Sequence, residues 1–392
     1  MELRGTKKLV LLLLPAVCLL GFFDQEKFRR DIPPEEKKEL IEYLRSNWAA
    51  PEDYIIGKFR DYDLVFVGEA HHIKHDVELI HRLIPLLHQN GVYNLGIEFG
   101  CYEYQDKVDS LITSESYDED LARWLLFKWG SFWPYKEYID LYRKAWELNR
   151  SLPDDSPKFR IVNLDYRARW DLVTENMPAR RLRKVFHKGE RDVHMARVIL
   201  EEIVGKNQKA LIYAGQQHAA THFYHPVYDF KKQKFLHFNK DVMGHLVYRR
   251  MPDRVFNICL HYPWQSFKSH TDFNYPVGGA IDTIMGEFAD KRVGFDVKGT
   301  PFGDLRDDLT LYSAGRKYFK LGDFCDGYVF QKHIGDYEGC DVDFLFVTEE
   351  NLREAVDYLS NPRLKKIFKS PQQFLVYMRL KANPERRFGG LE

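Results

Sequence analysis

Short runs of β-branched and aromatic residues alternate with helical stretches from Asp61 to the region of Gln331, and this alternation is the strongest constraint on the fold. The runs are Leu64–Val67, Tyr93–Phe99, Phe159–Leu164, Ala210–Ala214, His245–Arg249, Val255–Leu260 and Tyr328–Gln331. Helical patterns fall at Lys74–Gln89, Tyr135–Asn149, Glu190–Val204, Ile281–Ala289 and Leu352–Leu359. Strands separated by helices predict an α/β fold with a central, mostly parallel sheet covered on both faces. The division expected is an N-terminal helical segment over 24–60, an α/β domain over 61–349 and C-terminal helices over 350–392. Some sixty residues between the second and third runs, about 101–158, are rich in aromatics: Trp124, Phe127, Trp129, Phe132, Trp133, Tyr135, Tyr138, Tyr142 and Trp146. They read as a helical insertion, either a lid over the sheet edge or a core of its own.

The first 23 residues differ in kind. Arg4, Lys7 and Lys8 precede an uncharged apolar run from Leu9 to Phe23. At ~1.5 Å per residue its helix falls short of the roughly 30 Å hydrocarbon core, which favours an export signal over a stable span. Pro15-Ala16-Val17 before Cys18 adds a lipid anchor as a second route, so contact with a membrane is expected only through this segment. An exported chain meets an oxidising compartment, where Cys101, Cys259, Cys325 and Cys340 either form bridges, with Cys325 and Cys340 the first pair, or remain free buried thiols. Lysine plus arginine equals aspartate plus glutamate at 58 each, and this balance lacks the basic footprint of a nucleic-acid binder.

Chemistry collects at predicted strand ends. Val65-Phe66-Val67-Gly68-Glu69-Ala70-His71-His72 runs from a buried strand through a glycine turn to one carboxylate and two imidazoles, at the address where open α/β sheets bind ligands. The second strand ends at Glu98, the third at Asp165, and the fourth leads through Gly215 to His218. Glu69 and Glu98 would approach each other if their strands are neighbours. His218, His222 and His225 share a face if that segment is helical, while His81 and His88 read as solvated. Arg191 opens a helix and suits an anion or carboxylate, His261 ends a further strand, and Trp133 sits where Gly130 and Pro134 break the insertion. Glu69, His71, Glu98 and His218 together form a candidate set for Zn, Mn or Co with an open position for water. There is no Gly-x-Ser-x-Gly elbow and no Walker loop, so acids and imidazoles favour water activation over covalent catalysis.

In this order, strand–Gly-Glu-x-His, a strand-closing Glu, Arg-Asp-x-x-Met-Ala and strand–Gly-x-x-His, the motifs resemble a superfamily that includes the erythromycin esterases, the ChaN-type haem-binding lipoproteins and the TraB/Tiki proteins. Gly68-Glu69-Ala70-His71 is similar to the Gly-x-x-His of the Tiki and ChaN branches, whereas the esterase histidine stands one place later, at His72. The resemblance implies catalytic roles for Glu69, His71 or His72, Glu98 and His218, with Arg191 as the family's helix-opening arginine; Asp165 at its strand end and Trp133 in the broken stretch of the insertion are the further residues expected on the substrate. With the N-terminal segment read as an export signal, the expectation is an exported hydrolase of the periplasm, envelope or exterior, acting on an ester or amide in a small molecule or peptide. The alternative it carries is a haem- or iron-binding envelope protein without turnover.

Overall fold

The computed structural model describes residues 31–392 except 270, 290, 390 and 392. The expected export signal and Cys18 lie outside the described residues. Two proline-started helices, α1 (Pro34–Asn47) and α2 (Pro51–Lys58), lead into the sheet, each proline occupying the first turn, where its missing N–H costs nothing.

Seven strands form the sheet: β1 (Leu64–Glu69), β2 (Asn94–Cys101), β3 (Arg160–Asp165), β4 (Ala210–Gly215), β7 (Val255–Leu260), β10 (Val293–Asp296) and β11 (Gly327–Phe330). Two small pairs stand apart, β5 (His225–Asp229) with β6 (Lys234–Asn239), and β8 (Trp264–Gln265) with β9 (Phe273–Asn274). The order across the sheet is β10-β11-β7-β1-β4-β2-β3, parallel throughout except for the edge strand β10. This is the α/β architecture expected. β1, β2 and β4 are buried at every position, as central parallel strands covered on both faces must be.

The helices that flank it are α3 (Lys74–Gln89), α4 (Gln105–Thr113), α5 (Glu119–Trp129), α6 (Lys136–Ser151), α7 (Leu182–Val185), α8 (Arg191–Glu202), α9 (Gln216–Ala219), α10 (Met243–Tyr248), α11 (Ala280–Gly286), α12 (Leu352–Asp357), α13 (Pro371–Ala382) and α14 (Pro384–Phe388). The aromatic insertion supplies α4 to α6. Its buried side chains, among them Trp129, Trp133, Tyr135, Tyr138 and Tyr142, join Val65, Val67, Leu95 and Ile97 of the sheet in one apolar cluster, so it is part of the main core. Among the described residues no helix is long and apolar enough to cross a membrane.

Several expectations are corrected. His245 to Tyr248 belongs to α10 and not to a strand: the Asp192 carboxylate accepts from Met243 N at 2.7 Å and caps the helix, a tertiary contact that outweighs β-branched character in so short a run. β2 is not beside β1, because β4 pairs with both. Of the two alternatives for Cys101, Cys259, Cys325 and Cys340, the structure has free buried thiols and not the Cys325–Cys340 bridge, those two lying in different apolar clusters. His81 and His88 are not left to solvent: each ring Nε2 bonds a backbone carbonyl at 2.8 Å, of Glu137 and Pro157 respectively. The helix after β4 stops at Ala219 and His225 opens β5, so His218, His222 and His225 share no helical face.

Candidate active site

Parallel β1, β2, β3 and β4 end on one edge of the sheet, and the side chains there build the site. Glu69 closes β1 with 2% exposure. Its Oε1 accepts from Tyr138 Oη at 2.6 Å and meets His71 Nδ1 at 2.7 Å, and its Oε2 accepts from Tyr213 Oη. Burial and the neighbouring carboxylate push both phenols well above their ordinary range, so they stay protonated and donate. The network therefore assigns the His71 proton to Nδ1 and leaves Nε2 as an acceptor.

The His71 ring is one-third exposed and turns its Nε2 edge toward Gly215 and Glu98. A Cβ added to Gly215 would lie 2.6 Å from His71 Cε1, so the β4 turn requires glycine for this approach. Glu98, 2% exposed, accepts from Gly215 N at 2.9 Å and lies 3.5 Å from His218 Nε2 and 3.6 Å from Arg191 Nη2. Burial alone would raise its carboxyl, but His218, His71 and Arg191 hold it down at about 2. His218 is clasped on its other side by Asp192, Nδ1 to Oδ1 at 2.7 Å. Burial opposes its charge, yet Glu98 and Asp192 raise its pKa to about 9. Arg191 bonds Asp165 through Nε at 2.8 Å and through Nη2, and Trp129 Nε1 donates to the same carboxylate at 2.9 Å. Burial pushes the Asp165 carboxyl up against the pull of Arg191, and Asp165 with Glu98 keeps the guanidinium charged.

The sign of the pH response follows. The raised His218 pKa contributes stability that is complete below its ordinary 6.5 and lost as pH rises through about 9. The lowered Glu98 pKa contributes stability present above its ordinary 4.5 and lost as pH falls through about 2. The melting-temperature gap between wild type and His218→Gln is expected to be widest near pH 6 and to shrink by pH ~9.5. A gap independent of pH would show that this ion pair does not act.

These groups face a cavity of about 230 Å³ lined by His71, Glu98, Asp165, Arg191 and His218 on the sheet side, with Trp129, Phe132, Trp133 and Trp170 opposite. A larger cleft of about 730 Å³, beside Tyr228, Arg306 and Tyr318, contains none of the strand-end acids or histidines. Of the residues read from sequence, Glu69, His71, Glu98, Asp165, Arg191, His218 and Trp133 are brought together. His72 is not. It adopts a left-handed backbone, φ 72°, and its ring packs between Trp133 and Tyr135 at 4.4 Å from each. Burial drives its pKa well below the usual imidazole range. His261 ends β7 elsewhere, between Tyr328 Oη at 2.8 Å and Asp282 at 3.1 Å.

Glu69, His71, Glu98 and His218 do not enclose a common point: Glu69 spends its oxygens on two phenols and an imidazole, and Glu98 gives one to a backbone N–H. Among the described residues no three His, Cys, Asp or Glu side chains are arranged to hold a metal ion. Tyr138, Tyr213 and Asp192 were missed as site residues. The Tyr135, Tyr138, Tyr142 spacing marks a buried helix face, and Tyr213 stands two residues before the Gly215 turn, but both patterns are those of ordinary core.

Residues 55–192 match the family described as "Haem-binding uptake, Tiki superfamily, ChaN", which bears out the resemblance carried by the motifs. No curated protein matches the sequence. Among solved structures, a succinoglycan biosynthesis protein is similar at 13% identity and TM-score 0.52, over 80% of this chain and 100% of its own. An erythromycin esterase mutant in its open conformation aligns at 12% identity and TM-score 0.42, over 71% and 91%. ChaN of Campylobacter jejuni, solved with cofacial haem, aligns at 14% identity and TM-score 0.34, over 55% and 87%. At such identities the first of these shows a shared fold alone.

Proposed function

We propose that this protein is an exported hydrolase that activates water against an ester or amide with the Glu69–His71 pair. The observation that carries the reading is His71: Nδ1 tied to buried Glu69 at 2.7 Å, the ring one-third exposed, and Nε2 turned into a pocket edged by Glu98, Arg191 and His218. In this scheme Nε2 takes a proton from water as the water oxygen bonds the carbonyl carbon. Arg191 and His218 oppose the charge developing on the carbonyl oxygen. Collapse of the adduct breaks the bond to the leaving group, and the His71 proton passes to it. Glu69 fixes the tautomer and stabilises the imidazolium. Export rests on the Met1–Phe23 pattern and is tested by N-terminal sequencing of the mature protein.

The experiment is hydrolysis of p-nitrophenyl acetate and of an anilide by wild type, Glu69→Ala and His218→Ala. Loss in both variants supports the reading; equal rates in all three overturn it. His72→Asn separates the two imidazoles. Asparagine tolerates the left-handed backbone, so kcat should stay within about threefold, under ~0.7 kcal/mol of barrier. The lost packing between Trp133 and Tyr135 should lower stability by about 1–3 kcal/mol. A collapse of kcat with intact stability would transfer the base role to His72.

A second reading, haem binding, is favoured by the family match over 55–192. Haem does not fit the His71 pocket, whose 230 Å³ lies below the roughly 300–1,000 Å³ of sites that enclose a drug-sized ligand. It would have to bind at the surface. A Soret band that survives gel filtration supports this reading, and its absence removes it.

A further inference from the structure

The turn that carries His71 is closed from the far end of the chain. Arg387, on α14, donates from Nη1 to the His71 carbonyl at 2.5 Å across 316 residues of sequence. The same peptide is held at its other end, where His72 N donates to Tyr138 Oη at 3.1 Å while that hydroxyl donates to Glu69. Both polar groups of the peptide joining His71 to His72 are therefore clamped. This peptide sets the positive φ of His72, a conformation that costs a β-carbon residue about 1–2 kcal/mol and persists only when its surroundings enforce it. Cys340 N closes the next carbonyl, that of His72, at 2.9 Å.

The guanidinium is placed at some cost. Burial lowers its pKa, and the ionisable groups that offset this are Tyr138, Tyr135, Glu69 and Cys340. Among the described residues no carboxylate lies within ion-pair distance of it. α14 itself is anchored independently: the Asn383 side chain caps it through Arg386 N at 2.8 Å, and Phe388 packs edge-on to Phe273 at 5.1 Å. Among the described residues the guanidinium thus has a backbone carbonyl and no carboxylate as its partner, and it reaches the His71 turn from far outside the family-matched segment.

We propose that Arg387 is a positioning residue: by holding the His71 carbonyl it fixes the turn that aims the His71 imidazole at Glu69 on one side and the pocket on the other. The inference rests on the hydrolase reading only for its kinetic consequence. The test is the ring ¹⁵N pattern of His71 at one pH in wild type, Arg387→Lys, Arg387→Gln and Arg387→Met, with p-nitrophenyl acetate kinetics alongside. Wild type and the lysine variant, whose ammonium still reaches toward the carbonyl, should show the Nδ1–H tautomer. Glutamine is two bonds shorter and methionine has no donor, so both should give a tautomer-averaged His71 with the His218 pattern unmoved. Their kcat should fall about tenfold or more at nearly constant KM. If methionine prevents folding, glutamine decides. A His71 pattern unchanged in the glutamine or methionine variant overturns the proposal. Wild type that fails to hydrolyse the ester, with the His71 pattern still responding to Arg387, removes the hydrolase reading and leaves the positioning role intact.

Discussion

His71→Ala should lower kcat/KM for p-nitrophenyl acetate by about 10²–10⁴, the range that a positioned acid–base group supplies. The size follows from position. The ring stands between buried Glu69 at 2.7 Å and the edge of the pocket, and the other imidazoles there are engaged: His218 bonds Asp192 through Nδ1 and faces Glu98 through Nε2, and His72 packs between two aromatic rings. The His218 ion pairs also keep that ring protonated at neutral pH, with a pKa of about 9, so it cannot replace His71 as a base. The loss should appear in kcat of the folded protein, with a modest fall in melting temperature from the lost Glu69 bond and the edge contacts with Phe99 and Trp133. A large fall in melting temperature with kcat preserved in the folded fraction would assign His71 a structural role.

Arg191→Ala should produce the largest loss of stability among the site residues, about 3–5 kcal/mol, the usual consequence of stranding a buried charge. The arginine serves two carboxylates. Asp165 is fully buried and Glu98 is 2% exposed, and after the substitution Asp165 keeps only the Trp129 indole as a side-chain donor. Its already raised pKa should rise further. A raised carboxyl favours the folded state below its unfolded pKa and loses that advantage as pH climbs through the folded value. The deficit measured by urea unfolding should therefore be larger at pH 7 than at pH 5. A deficit that is small, or unchanged with pH, would show that water enters and solvates the two acids.

Much of this site is legible in the sequence because its signals are local. A buried run ending in glycine and an acid or histidine identifies a strand and its carboxyl end together, which is how Glu69, Glu98, Asp165 and His218 are found. The lateral order of strands is not local, so the place of β4 between β1 and β2 could not be read. Which of His71 and His72 reaches the pocket was equally closed, because it depends on a left-handed residue whose flanking peptides bond Tyr138, Cys340 and Arg387, all distant in sequence. The β10 edge and the β5–β6 hairpin were missed for a related reason: four residues, or a strand with an exposed polar face, carry too weak a pattern. His245–Tyr248 was misassigned because its helix is started by Asp192, fifty-one residues earlier.

The central claim is that Glu69 and His71 act as one unit. It is tested most directly by a double-mutant cycle on p-nitrophenyl acetate hydrolysis with Glu69→Gln, His71→Ala and the combined variant. Groups that work as a unit are strongly non-additive. The account predicts that the combined variant is no slower than His71→Ala alone. Losses that multiply, with the double variant slower than His71→Ala by the full factor seen for Glu69→Gln, would contradict it.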